Sequence, residues 1–267
     1  LGATDYTADI TVYAKWIKAN ESLDCGATWY TKQSSRHLLP TGQSMHVTFH
    51  NQSKDTDANF HNWILSAGTN VENNHDYMSL RADVWDNNGD NNSTRIMQQN
   101  GELLTESDWS TFKTDMAAGA DVDIEVANSG ERLYVHAITT AGGNTYTYTA
   151  ETKVQNLENV YIALMGEQCT LTDIEFSEPT TAYYVSATAG TDCSSVEMTN
   201  ELGMAVPNGT YVPSGEKITF KANPADGKVF KSWNVGEDVV SENNPSTIDV
   251  TYNVYVTAVC GEPEATD

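Results

Sequence analysis

Tyr77-Met78-Ser79-Leu80-Arg81-Ala82-Asp83-Val84-Trp85 is the stretch that decides the fold class. Side chains of a strand alternate between two faces. Met78, Leu80, Ala82 and Val84 make one uniformly apolar face, and Tyr77, Ser79, Arg81, Asp83 and Trp85 make the other. The same period of two recurs along the chain in short runs rich in Val, Ile, Thr and Tyr, separated by Gly, Asn and Asp clusters. Strands are expected over 43–50, 60–66, 77–85, 94–99, 121–127, 132–139, 144–150, 159–165 and 170–176. Nine or so short strands with polar turns predict an all-β fold, a β-sandwich of the jelly-roll kind, over 21–178. The best helix signal is Ser107–Met116, where Trp109, Phe112 and Met116 recur at helical spacing behind a Ser/Asp cap.

The 267 residues include 14 Lys+Arg and 37 Asp+Glu, a formal net charge of −23. Such a charge repels phosphates, so nucleic acid is excluded as a partner, and anionic lipid and polyanionic glycans are disfavoured. The acidic residues are dispersed among alternating apolar ones, which argues against disorder. No apolar run approaches the ~18 residues of a membrane span. The chain opens at Leu1-Gly2-Ala3 without Met or a basic leader and reads as a piece of a longer protein with further fused domains.

Cys25, Cys169, Cys193 and Cys260 show no zinc-knuckle spacing. A domain boundary near Pro179 would pair Cys25 with Cys169 and Cys193 with Cys260; buried thiols are the alternative. Bridges imply an oxidising compartment, hence a secreted or cell-surface protein.

A row carrying Tyr77, Arg81, Asp83 and Trp85 suits carbohydrate. Sugar rings stack an apolar C–H face on aromatic rings, and their hydroxyls need paired donors and acceptors. A covering loop or adjoining domain is the competing reading. His46 with Thr48 and His50, and Tyr134 with His136, occupy the faces opposite apolar runs on their own segments. If these outer faces share one sheet with the Arg81 row, they form a polar, aromatic-rich surface. Trp63 is either a stacking platform or core. The loop Asp86-Asn87-Asn88-Gly89-Asp90-Asn91-Asn92 is a plain turn, a hydroxyl-binding loop or a structural Ca²⁺ site; it lacks EF-hand spacing and a bidentate Glu. No other cofactor is indicated.

Several stretches resemble known families. Asp9-Ile10-Thr11-Val12-Tyr13-Ala14-Lys15-Trp16 resembles the last strand of an internalin-type (Listeria–Bacteroides) repeat, which would make 1–20 the tail of a preceding repeat. Gly209–Phe220 followed by Ala222-Asn223-Pro224-Ala225-Asp226-Gly227 and Phe230/Trp233 resembles a divergent bacterial repeat of surface proteins and secreted glycanases. That resemblance implies a small Ig-like or β-grasp-like domain over 179–267, with Trp233 structural. His61-Asn62-Trp63-Ile64-Leu65 with Leu80-Arg81-Ala82-Asp83 resembles carbohydrate-binding modules of gut and rumen bacterial glycanases. It implies non-catalytic binding of plant cell-wall polysaccharide such as β-glucan or a related neutral hemicellulose. A structural stalk or adhesin segment is the alternative, followed by a glycoside hydrolase.

Asp121-Val122-Asp123-Ile124-Glu125 resembles the catalytic strand of family 16 glycoside hydrolases. However, i and i+4 on a strand lie roughly 13 Å apart, whereas a retaining pair needs about 5–5.5 Å. Asp121 is also shorter than the Glu of that pattern. A solvated acidic strand face is therefore expected, and no enzyme.

Overall fold

The computed structural model describes residues 21–27, 32–54, 63–68, 78–81, 93–99, 102–103, 109–153 and 159–264. In chain order the first part contains β1 (Glu21–Asp24), β2 (His37–Pro40), β3 (Gln43–Ser53), β4 (Trp63–Gly68), β5 (Met78–Arg81), β6 (Ser93–Gln99) and β7 (Glu102–Leu103). Then follow α1 (Trp109–Ala118), β8 (Ala120–Asn128), β9 (Arg132–Ala141), β10 (Asn144–Lys153), β11 (Asn159–Gly166) and β12 (Cys169–Phe176). Each expected strand coincides with an observed one, and the helix forms where Phe112 and Met116 recur on one face. Both of these side chains are buried against the sheet.

The larger sheet runs β1-β12-β3-β8-β9-β10-β6-β7, and the smaller runs β2-β11-β4-β5. All the pairings are antiparallel. The apolar halves of the alternating strands face inward. On the larger sheet Met45, Val47 and Phe49 align in register with Val126, Ile124 and Val122, then with Val135, Ala137 and Thr139. The smaller sheet contributes Leu39, Trp63, Leu65, Val160, Ile162 and Leu164 to the same core. Trp63 is edge-on to both Phe49 and Tyr148, at 6.1 and 5.7 Å, and so bridges the two sheets. The architecture is the all-β sandwich expected from the alternation.

The second part contains β13 (Thr180–Ala189), β14 (Cys193–Thr199), β15 (Thr210–Pro213), β16 (Lys217–Pro224), β17 (Val229–Val235), β18 (Asp238–Ser241), β19 (Ser246–Asp249) and β20 (Val254–Gly261). It has its own core around Trp233, Phe220, Ile218 and Val256. The Pro224-Ala225-Asp226-Gly227 stretch makes a tight turn: Lys228 N–H donates to Ala225 O at 2.9 Å, and Gly227 takes φ +74°. That turn aims Phe230 and Trp233 into the core, with ring centroids 5.5 Å apart.

The two parts touch. β13 begins on the edge of β3, pairing Thr180 with Ser44 and Thr181 with Gln43, and Ala182 N–H donates to Gly42 O at 3.1 Å. Ser44 is thereby fully buried.

Of the expected bridges, Cys193–Cys260 is formed. Cys25 and Cys169 are brought together, with Cys25 N–H donating to Cys169 O at 2.9 Å, but they remain buried thiols rather than a disulfide. The thiol–thiol hydrogen bond lowers the pKa of Cys25, the first cause, and raises that of Cys169, where burial adds to the effect. The reading of buried thiols therefore holds for this pair.

Candidate functional site

The outward half of the larger sheet is polar, and strand register sets its layout. Reading across β3, β8, β9 and β10, one row is His46, Glu125, His136 and Thr149. The next is Thr48, Asp123, Ile138 and Thr147, with Glu175 of β12 beside Thr48. The row beyond is His50, Asp121, Thr140 and Thr145. On β12 a bulge between Thr172 and Glu175 places Asp173 at φ 53°. Bulges of this kind re-aim side chains toward a face. The result is an open depression of about 480 Å³ lined in part by Thr48, His50, Asp121, Asp123, Asp173 and Glu175.

Two histidine–carboxylate pairs stiffen it. His50 Nδ1 lies 2.8 Å from Asp121 Oδ1, and His46 Nδ1 lies 3.1 Å from Asp123 Oδ1. All four side chains remain 40% or more exposed, so the pairs present groups to solvent rather than filling core. The hydrogen bond that Asp123 accepts from its imidazole raises the pKa of His46, against the opposing effect of burial.

At the other end of the face the second domain forms a wall. There a cavity of about 320 Å³ is bounded by His46, Asp123, Glu125 and His136 on one side and by the Asn200–Met204 turn and Glu216 on the other. Burial pushes the Glu125 carboxyl up to about 8, and its Oε1 is buried without a hydrogen-bond partner. Burial moves the His136 imidazole the opposite way, down to about 4. Burial also raises the Glu216 carboxyl.

Several sequence expectations need correction here. His46, Tyr134 and His136 lie on the larger sheet, whereas Arg81 lies on β5 of the smaller one. In the ladder Leu80 pairs with Leu65 and Arg81 with Ile64. The Arg81 strand and the histidine strands therefore belong to different sheets, and the outer faces do not share one. On the Arg81 side, Ile64 and Ser66 are fully buried, and Arg36 donates to Ser66 Oγ at 3.3 Å. That face is covered at β4. Trp63, 1% exposed, is core and offers no stacking platform. Tyr134 is packed on Tyr211 of β15, with centroids 5.4 Å apart, so it serves the domain junction. Tyr77, Asp83, Trp85, the 86–92 loop and the 1–20 segment lie outside the described residues.

The acidic strand Asp121–Glu125 does put its three carboxyls on one face, but the face they share belongs to a histidine-rich row pattern that sequence alone leaves unassembled. Glu216 was missed altogether: it arrives from the second domain, and nothing local in its sequence marks it. Among the described residues no group of three or more His, Cys, Asp or Glu is placed to hold a metal ion.

The second domain matches a known family. Residues 194–260 match the divergent InlB B-repeat domain. The match takes in Cys260 of the disulfide, the Pro-Ala-Asp-Gly turn and Trp233, and makes this part a bacterial repeat domain. No curated protein and no solved structure matches the chain. The repeat match and the Cys193–Cys260 bridge are compatible with an extracellular location. No helix among the described residues is long and apolar enough to cross a membrane.

Proposed function

We propose that the sandwich is a non-catalytic glycan-binding unit, carried beside a repeat domain of a bacterial surface or secreted protein, and that it binds through the open face of the larger sheet. The observation that carries this reading is that His50, paired with Asp121, and Asp123, paired with the adjacent His46, stand exposed on central strands along a depression of about 480 Å³. Sugars need several donors and acceptors held in fixed positions, and side chains on paired strands supply that rigidity. Among the described residues no Lys or Arg lines the depression, which disfavours acidic glycans; β-glucans and related hemicelluloses are the reference ligands. The spacing of Asp121 and Glu125 along one strand supports binding over retaining hydrolysis. The repeat supports a spacer role for the second domain.

Affinity electrophoresis of the whole chain against a panel of soluble polysaccharides tests the reading. Retardation by at least one neutral β-linked polysaccharide is expected, reduced several-fold by His50→Ala or Asp121→Ala with little change in melting temperature. Absence of retardation across the panel, or retardation indifferent to both substitutions, would overturn it. A reducing-sugar assay on the same panel should stay at background.

A further inference from the structure

The cavity between the sandwich and the repeat is lined by more acids than bases. Four carboxyl side chains border it: Asp123 and Glu125 from β8, Glu201 and Glu216 from the repeat. Among the described residues no Lys or Arg lines it. Its basic groups are His136 and His46, and His46 pairs with Asp123 at 3.1 Å and also favours the ionised forms of Glu125 and Glu216. Lys217 engages Glu201 at 3.2 Å but does not line the cavity. The Glu125 carboxyl lines it as well, and its buried Oε1 has no partner at all. Desolvating a carboxyl without a partner costs free energy, and such a site is complementary to a cation. The whole-molecule charge of −23 draws cations toward it.

The lining also selects the kind of cation. A bare metal ion needs converging ligands, and among the described residues none are so placed. The cavity, at about 320 Å³, is large for an ion and is of the size that holds a small organic molecule. Ile138, Leu202 and Met204 add apolar lining beside the carboxyls. An occupant with a charged head and a small apolar flank fits both.

We propose that this junction cavity binds a protonated primary amine, carried by an amino-sugar unit within an otherwise neutral β-linked glycan that lies along the adjoining open face. The inference rests on the glycan reading for the carrier and on the cavity alone for the amine. The ring C–H face of the sugar meets Ile138 and Met204, and the ammonium meets Glu125 and Glu216. An ammonium beside Glu125 favours its ionised form, so binding near pH 7 releases a proton. The groups that share this equilibrium are His46 on β3, Asp123 on β8, His136 on β9, and Glu201 and Glu216 on the repeat.

Titration calorimetry on the full chain tests this with four probes: a β-linked glucosamine tetramer, its N-acetylated counterpart, cellotetraose and 1,5-diaminopentane. The glucosamine tetramer should bind at least tenfold more tightly than the N-acetylated one. Its heat should differ between buffers of different ionisation enthalpy by the amount of a released proton. Glu216→Gln and Glu125→Gln should each bring the ratio of the two affinities below twofold. Equal affinity for the free and acetylated tetramers would overturn the proposal. Diaminopentane binding that Glu216→Gln abolishes, with no sugar bound, would place the amine on another carrier such as a lysine side chain; it would sink the glycan reading and leave the ammonium site standing. Cellotetraose binding without amine preference would do the reverse.

Discussion

Glu125 and His136 stand directly opposite each other across the β8–β9 ladder, and burial drives their protonation in opposite directions. The carboxyl is pushed up to about 8 and the imidazole down to about 4, so both are neutral between these values. Above the ordinary carboxylate range, unfolding ionises Glu125 while the folded state keeps its proton, and stability falls as pH rises toward 8. Below the ordinary histidine range, unfolding lets His136 take up a proton that the folded state refuses, and stability rises with pH from about 4 to about 6.5. The two slopes oppose each other between about 4.5 and 6.5. Neighbouring His46, Asp123 and Glu216 share the field. Between pH 6.5 and 8 the Glu125 slope acts without that offset. Denaturant melts across this window should show declining stability in the wild type and a flatter profile in Glu125→Gln. Parallel profiles would show that Glu125 titrates in its ordinary range.

Trp63 provides a second test, because its role in the fold differs from the stacking role that its sequence context suggests. Its indole is buried between Phe49 and Tyr148 at the contact of the two sheets. Trp63→Ala should destabilise the sandwich by about 3–5 kcal/mol through lost burial and the cavity left behind. Glycan affinity measured well below the melting temperature should hold. A stable variant that has lost affinity would restore Trp63 as a ligand platform.

Particular residues show why the fold was more legible than the site. The period-two pattern of Met45-His46-Val47-Thr48-Phe49-His50 assigns each side chain to core or surface by itself, and the structure keeps that assignment. The Phe112/Met116 spacing located α1 for the same local reason. Whether two outward faces share a sheet depends on strand order, which is non-local. His46 reads correctly as an outward-facing position, yet it and Arg81 belong to different sheets. The β3–β8–β9 order, by contrast, gathers His46, Glu125 and His136 into one row from segments some 80 residues apart at most between neighbouring strands. The very short β1, β2 and β7 were also missed, since two to four residues carry too little periodicity to be read.

The cysteines make a third test. Cys193 and Cys260 close a separation of 67 residues, so their bridge restricts the unfolded repeat by about 4 kcal/mol in the chain-entropy view. Cys193→Ser with Cys260→Ser should lower repeat stability by about 2–4 kcal/mol and leave the sandwich melt unchanged. Intact-mass analysis after alkylation in denaturant should find two modified cysteines, Cys25 and Cys169, and none in the native protein, where both are buried. Four protected cysteines in denaturant would show that the first pair is bridged as well.

The junction that forms the cavity has its own energetic signature. Tyr134 reaches from β9 to Tyr211 on β15, with centroids 5.4 Å apart, and Tyr211 is edge-on to Tyr184 of β13 at 5.5 Å. These rings lie beside the β13–β3 pairing, so side-chain and backbone contacts hold the repeat against the same end of the sheet. An aromatic pair of this kind is worth about 0.5–1.5 kcal/mol beyond its area. A double-mutant cycle with Tyr134→Ala and Tyr211→Ala should therefore give a coupling energy in that range by denaturant melts of the whole chain. Neither residue borders the 320 Å³ cavity, but both help to fix the wall that Glu216 stands on. Loosening the wall relieves the burial that raises Glu216 and Glu125, and the double variant should show a flatter stability profile between pH 6.5 and 8 than the wild type. Additive single effects, with the pH profile intact, would mean that the β13–β3 strand pairing alone sets the junction and that the tyrosines merely lie beside it.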